Sequence, residues 1–416
     1  MSEQATARAP VQAPPITHDF PVVAATAQHF PVVAANCASP ITICHFSTAH
    51  LELKSRTFHR QFLPLAAFGF NVRYVSPAGW TGPQNGINFI PLARGKNRLR
   101  RMIAYPSLLR HLRAQKADIC HFQDPELLPL AFALKLIYGQ RVIYDAYEDF
   151  PSVAASHRRI PRFLRPLASK FVAVAEWCAA HCFDGVMTAD PFTMRRFAEG
   201  GRSRKLVFHN FPNLQFFPLP RPNRSATFDF VYRGGISERA GAYLLLDALR
   251  MLADQGRSAN LLLLGYFDCA ADHLALLNRI QSFGLESRVT VKGKLPHEEM
   301  ANALATCRIG ISPLQDTPKF RLNLPVKVFE YWACGMPVIA SDLPPIRPYF
   351  RGVWAGLLFP AGDAVALSRA MAWMLDHPEQ AALMGRRGRA AVDARLNNEN
   401  EVRRLREFCQ RIVAAD

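Results

Sequence analysis

Two runs of alternating strand and helix predict an α/β protein built from two parallel-sheet halves that face each other across a cleft. The first run extends from Ile41 to His209 and the second begins at Phe228. Such alternation implies crossover helices on parallel strands. Between the runs stand Asn210-Phe211-Pro212-Asn213 and a proline-rich segment from Pro218 to Pro222, the composition of a boundary. A chain of 416 residues is also too long for one ordinary core.

In the first half, apolar β-prone runs place strands at Ile41–Phe46, Asn71–Ser76, Ile119–Phe122, Arg141–Asp145, Val186–Ala189 and Lys205–His209. Helical spacing of apolar residues places helices at Phe58–Phe68, Leu99–Gln115, Leu127–Tyr138 and Phe171–Phe183. The second half repeats the scheme. Its strands are expected at Phe228–Tyr232, Leu261–Leu264, Val289–Lys292, Ile309–Ser312 and Val338–Ala340, and its helices at Tyr243–Asp254, Asp272–Phe283, His297–Thr306, Lys327–Cys334 and Asp363–Asp376. A last helix covers about Asn398–Val413. Residues 1–38 are proline-rich and repeat His18-Asp19-Phe20-Pro21-Val22-Val23-Ala24-Ala25 in altered form from Gln28; two copies do not make a solenoid, and a disordered extension is expected. The expected division is therefore 1–38, a first domain at 39–212, a second at 213–395, and a C-terminal helix at 396–416 able to pack back on the first domain.

Composition narrows the function classes. Half of the residues are apolar, which excludes global disorder. No apolar run approaches the ~18–20 uncharged residues needed to span a bilayer, and no secretory signal is visible, so a cytoplasmic protein is expected. The nine cysteines are odd in number, and Cys44, Cys120, Cys307 and Cys334 lie in apolar runs, which suits buried reduced thiols. Cys178-Ala179-Ala180-His181-Cys182 lacks a second ligand pair at zinc spacing and reads as helix packing; no metal site is expected.

The net charge of +17 is uneven: residues 1–212 hold 25 Lys and Arg against 13 Asp and Glu, while the remainder is nearer balance. Between Glu52 and Asp118 there are twelve Lys or Arg and no acid; Pro151 to Ala175 is also acid-free and holds Arg158, Arg159, Arg162, Arg165 and Lys170. Ile160, Phe163, Leu164 and Leu167 recur at helical spacing between these arginines. That pattern suits a helix in a lipid interface, so an anionic membrane surface is an expected partner. No nucleic-acid motif accompanies the charge, and nucleic acid is not an expected partner.

The most informative stretch runs from Asn323 to Asp342. Pro325 suits a helix start; Val328, Phe329, Trp332 and Ala333 form one apolar face; Gly335 ends the helix and Pro337 prevents its resumption before the strand Val338-Ile339-Ala340. Lys327 and Glu330 lie one turn apart and can point into one cleft. The stretch closely resembles the nucleotide-sugar site of GT-B glycosyltransferases of family 4, which carry Pro-x-Lys-x-x-Glu-Tyr-x-Ala-x-Gly-x-Pro-Val-Ile-Ala. The resemblance implies a GT-B fold of two Rossmann-like domains. It implies a nucleotide diphosphate-sugar as donor substrate, with no separate cofactor. It also implies that Glu330 holds the donor ribose hydroxyls, since a carboxylate can accept charge-assisted bonds from both.

Weaker motifs agree in order and spacing over roughly residues 41–390. Phe122-Gln123-Asp124-Pro125-Glu126-Leu127-Leu128 follows a strand. Asp124 and Glu126 are there as acid/base candidates or as an N-cap and a dipole partner. The segment resembles the His-Asp-Pro-Glu-Leu-Leu of one family-4 branch, and Tyr144-Asp145-Ala146-Tyr147-Glu148-Asp149 resembles that branch's Tyr-Asp-x-His-Glu-Asp. Asp124, Glu126 and Glu148 are thus the candidates for engaging an acceptor hydroxyl. Gly234-Gly235, between a strand and a helix, suits a diphosphate loop, with Arg233 and Arg239 as nearby cations and Lys327 completing the set. The chain departs from the family pattern at Gln123, Tyr147, Ala240 and Leu322, so the nucleotide site is better supported than the sugar site. The expected activity is sugar transfer to a lipid-linked or oligosaccharide acceptor by a peripheral protein at the inner membrane face. The alternative is a non-catalytic homologue acting as a scaffold in polysaccharide assembly.

Overall fold

The computed structural model describes residues 40–48, 56–77, 79–92, 105–156, 160–198, 201–218 and 226–415. The N-terminal extension, most of the loop from His50 to Arg56, and Arg158 and Arg159 lie outside them.

The first sheet has eight strands: β1 (Thr42–Phe46), β2 (Asn71–Ser76), β3 (Gly82–Gln84), β4 (Ile87–Pro91), β5 (Ile119–Phe122), β6 (Arg141–Ala146), β7 (Gly185–Thr188) and β8 (Arg204–Val207). Their order is β3-β4-β2-β1-β5-β6-β7-β8. Every pairing is parallel except the β3–β4 hairpin. That hairpin turns on Asn85 and Gly86, both at positive φ, as a two-residue turn between twisted strands requires. The second sheet has six strands: β9 (Phe228–Gly235), β10 (Leu261–Tyr266), β11 (Val289–Lys292), β12 (Cys307–Ser312), β13 (Val338–Ser341) and β14 (Gly356–Phe359). Their order, β11-β10-β9-β12-β13-β14, is the Rossmann arrangement. In each sheet the order reverses beside the first strand, at β1/β5 and at β9/β12, and loops beyond the carboxyl ends at such points are where open α/β sheets bind ligands.

Four helices and three strands go beyond the sequence expectation. The Phe150–Ser156, Pro191–Ala198, Arg347–Val353 and Pro378–Ala394 helices, the β3–β4 hairpin and β14 all form. The expected helix at Phe58–Phe68 is a π-turn at Phe58–Phe62 followed by an α-turn at Leu63–Ala67. The helix expected at Phe171 begins earlier and spans Arg165–Cys182. One side of it packs on the first-half core through Ala179, Ala180 and Phe183, with Val172, Ala175 and Cys182 partly buried, while Phe171 and Trp177 face solvent.

The last helix, Asn398–Val413, leaves the second half and returns to the first. Val402, Leu405, Phe408, Cys409 and Ile412 join Met187, Leu206 and Phe208 in one buried cluster. Gly185 lets it sit close, since a Cβ there would press on the side-chain ends of Ile412 and Phe408 at 2.8 Å. Asn397 caps the helix by accepting from the Asn400 amide at 2.9 Å. Cys44, Cys120, Cys307, Cys334 and Cys409 are buried free thiols. Among the described residues no helix is long and apolar enough to cross a membrane.

Candidate nucleotide-sugar site

The second half presents its site where β9 ends. Tyr232-Arg233-Gly234-Gly235 closes the strand, and Gly234 takes φ 129°, a backbone conformation that suits glycine. The would-be Cβ of Gly234 meets Lys327 Nζ at 3.2 Å, so Lys327 lies directly over this turn. Its ammonium rests 4.0 Å from the centre of the Tyr232 ring, and the Tyr232 hydroxyl donates to the Gly235 carbonyl at 2.7 Å. Lys327 and Glu330 share the cleft side of the Val326–Ala333 helix, whose other face is buried through Val328, Phe329 and Trp332.

Glu330 is 1 % exposed. Arg233 donates to its Oε2, and Arg60, from the π-turn of the first half, stands 3.5 Å from its Oε1. Two arginines therefore face one carboxylate, and Lys327 stands beside them over the Gly234 turn. Burial penalises that excess. It pulls Lys327 down to about 7, with Arg233 adding repulsion, and it pulls Arg60 down to about 9, with Arg233 and Arg56 adding theirs. Arg233 is lowered too, first by burial. Arg60 Nε is buried without a hydrogen-bond partner.

Gly234, Gly235, Lys327 and Glu330 are thus brought together with Arg233. Arg239 is set apart: it is 65 % exposed and pairs with Asp268 at 2.8 Å. Arg60 is the residue that sequence reasoning passed over. Its only local signal is a basic side chain in a short apolar helix, and its partner lies in the other half.

The first half brings its candidates to the β1/β5 switch. Asp124 occupies the backbone N-cap position of the Pro125–Leu127 turn but makes no side-chain cap bond. Its Oδ2 accepts instead from Ser47 at the end of β1, at 3.1 Å. Glu126 accepts from Thr48 at 3.1 Å. Glu148 lies elsewhere, in an interdomain cavity lined by Tyr147, Asp190, Asn210, Asn323 and Phe329 among others. Its carboxylate is 3.7 Å from Lys319 of the second half. Asp124 and Glu126 do not line that cavity.

Beneath these residues runs a buried polar network. Arg56 grips Asp145 with two hydrogen bonds, 3.0 and 2.7 Å, and reaches the Phe208 carbonyl and Asn210 at 2.8 Å each. Gln61 and Gln123 also donate to Asp145, at 3.0 and 2.7 Å. Burial alone would raise the Asp145 pKa, but Arg56 and the amides hold it well below the usual carboxylate range. Gln123, one of the departures from the family pattern, is spent on this network. Beside it, burial pulls His121 down to about 4, and the neutral ring meets His45 at 3.0 Å.

Residues 55–210 match the family described as "Glycosyl transferase 4-like domain", and residues 227–377 match "Glycosyl transferases group 1". The chain belongs to the family 4-like GT-B glycosyltransferases. The amylovoran biosynthesis glycosyltransferase AmsK of Erwinia amylovora is 28 % identical over 179 residues, 43 % of each chain. The phosphatidyl-myo-inositol mannosyltransferase of Mycobacterium leprae is 31 % identical over 137 residues, 33 % of this chain and 34 % of that one. The chain thus matches less than half the length of either curated relative. Two solved structures share the GT-B fold. Sucrose-phosphate synthase from Thermosynechococcus elongatus superposes with a TM-score of 0.70 at 20 % identity, covering 91 % of this chain and all of that one. Anabaena HepE in complex with UDP gives 0.66 at 14 % identity, covering 89 % of this chain and all of that one.

Proposed function

We propose that this protein transfers a sugar from a nucleotide diphosphate-sugar to a lipid-linked or growing polysaccharide acceptor at the inner face of a membrane. The observation that carries the reading is the pairing of Arg60 and Arg233 with the single carboxylate of Glu330, with Lys327 beside them over Gly234 and Tyr232. Such an excess of partly desolvated positive charge is costly until an anion neutralises it, and a diphosphate has the matching charge. The solved relative with bound UDP is consistent with such a ligand. The polysaccharide and phosphatidylinositol relatives support the two acceptor classes.

In this reading Glu330 accepts from the ribose hydroxyls with the lone pairs its arginines leave open. Lys327, Arg233, Arg60 and the Gly234-Gly235 amides stabilise the negative charge that grows on the diphosphate as the sugar bond breaks. Arg239 approaches the phosphates from the loop before the Ala242–Asp254 helix once it leaves Asp268. Glu148 engages the acceptor hydroxyl in the interdomain cavity, with Asp124 and Glu126 as further candidates at the β1/β5 switch. A thermal-shift screen against UDP-, GDP- and ADP-sugars tests the donor: a ligand at 100 times its dissociation constant stabilises by about 2.7 kcal/mol. The absence of any shift with folded protein would refute the reading.

A second reading, a donor-binding scaffold without turnover, is favoured by Gln123 being committed to Asp145. Binding without release of nucleoside diphosphate, in the presence of a membrane extract as acceptor, would select it.

A further inference from the structure

The Arg165–Cys182 helix carries an uncovered apolar face. Leu167 is 65 % exposed, Phe171 73 % and Trp177 57 %, and Phe163, in the turn that leads into the helix, is 81 % exposed. With Val174, also exposed, these residues recur every three or four positions and so share one side of the helix. Isolated exposed apolar residues are ordinary, but a contiguous set of large ones marks an interaction surface.

The cations beside this face identify its occupant. Arg162, Arg165, Ser169 and Lys170 line a shallow open depression between this helix and Ala155 of the Phe150–Ser156 helix. Among the described residues none of these three cations is in an ion pair, and the sequence holds no acid from Pro151 to Ala175. Aromatic and aliphatic side chains flanked by unpaired basic ones, with no acid among them, match the two layers of an anionic lipid interface: acyl chains for the rings, headgroup phosphates for the cations. Lysine is depleted at protein–protein interfaces, and Lys170 stands among these cations.

The position is also suited to the cleft. Arg196 bridges Glu176 of this helix to Asp149, the neighbour of the cavity residue Glu148. The face and the cavity rim are thereby fixed to each other.

We infer that the Phe163–Trp177 face is a membrane-docking surface for anionic phospholipid, seating the rings among acyl chains and Arg162, Arg165 and Lys170 among phosphates. The inference deepens the proposed function and rests on it only for the use to which docking is put, the approach of a lipid-linked acceptor to the cleft.

The test is flotation of the full chain with vesicles of phosphatidylglycerol and phosphatidylethanolamine, against vesicles of phosphatidylcholine alone. The wild type is expected to float with the anionic vesicles at low salt and to be partly released as salt rises. The Arg162→Glu, Arg165→Glu, Lys170→Glu variant is expected to lose binding by roughly a hundredfold, at about fivefold or more for each cation. The Phe163→Ser, Leu167→Ser, Phe171→Ser variant is expected to lose the salt-resistant part. All substituted side chains are exposed or half-buried, and an unchanged melting curve confirms folding. Wild type that ignores anionic vesicles, or variants that float like wild type, would overturn the inference. So would a dimer in sedimentation that the apolar variant dissolves without any lipid binding, since the face would then join two copies. Nucleotide-sugar binding measured on the same proteins keeps the two readings apart: docking without donor binding removes the transfer reading alone, and donor binding without docking removes this one.

Discussion

Asp145 and Glu330 are equally buried carboxylates, 0 % and 1 % exposed, and both face arginines, yet their surroundings differ in charge. Asp145 meets one cation, Arg56, and fills its remaining acceptor capacity with the neutral amides of Gln61 and Gln123. That pair is balanced and ties β6 to the end of β8 through Phe208 and Asn210. Glu330 meets Arg60 and Arg233, and Lys327 lies near enough to Arg233 to be repelled by it. We read the balanced pair as structural and the overcharged one as the seat of an anion. On that reading charge balance, rather than burial, separates the two.

The comparison is broken most directly by removing each carboxylate. Asp145→Asn strands Arg56 without its counter-charge and should cost about 3–5 kcal/mol of stability, read as a lower urea midpoint. Because burial is outweighed by Arg56 and the Asp145 pKa lies below its ordinary 3.8, its contribution is fully present above that value and is lost as pH falls through the depressed one. The variant should therefore show a shallower acid-side decline in stability. An unchanged midpoint would show that Asp145 is not structural.

Glu330→Ala should weaken nucleotide-sugar binding by roughly 2–4 kcal/mol through lost charged hydrogen bonds, measured by calorimetry. The folded variant should regain thermal stability when nucleoside diphosphate is added, since the anion then replaces the missing charge. Equal affinity in wild type and variant would remove Glu330 from the site.

Lys327 sharpens the contrast through pH. Burial, aided by Arg233, lowers its pKa from 10.5 to about 7, so the free protein loses this charge as pH rises above about 7. A bound diphosphate favours the protonated amine, so binding takes up a proton in that range. Nucleoside diphosphate affinity should fall as pH rises above neutrality, by up to about tenfold per unit, and Lys327→Gln should flatten the profile. The same depression lowers fold stability as pH drops from the unfolded value towards the folded one, because only the unfolded chain then gains the proton freely.

The smallest effect is expected at Arg239. Its exposed pair with Asp268 is worth at most about 1 kcal/mol to the fold. Arg239→Ala should raise the dissociation constant for nucleoside diphosphate-sugar by more than that for nucleoside. Parallel weakening of both would assign Arg239 to the surface alone.

The second half's face of the site was legible because it is contiguous: proline, lysine, glutamate, glycine and proline fall in order on one loop, helix and turn. The alternation of strands likewise gave both parallel sheets. Arg60 was not legible, since its role arises only when the π-turn of one half meets the helix of the other. The Asn85-Gly86 hairpin carried a strong turn signal that the surrounding alternation obscured. The Pro378–Ala394 helix was hidden by its own glycines, which usually weaken a helix. Here they permit close packing: a Cβ on Gly385 would lie 2.1 Å from the Gly335 carbonyl oxygen, and one on Gly388 would lie 2.6 Å from Trp332.

The returning C-terminal helix has a consequence for how the chain is made. Domains commonly fold as units during synthesis, the N-terminal one first. Here the first domain emerges from the ribosome lacking Val402, Leu405, Phe408, Cys409 and Ile412, which complete its buried cluster around Phe208 and Met187. The groove beside Gly185 stays uncovered until the Asn398–Val413 helix has been made. The first domain is therefore completed only after the second has been made, and a nascent chain stalled before Asn398 leaves that apolar groove uncovered.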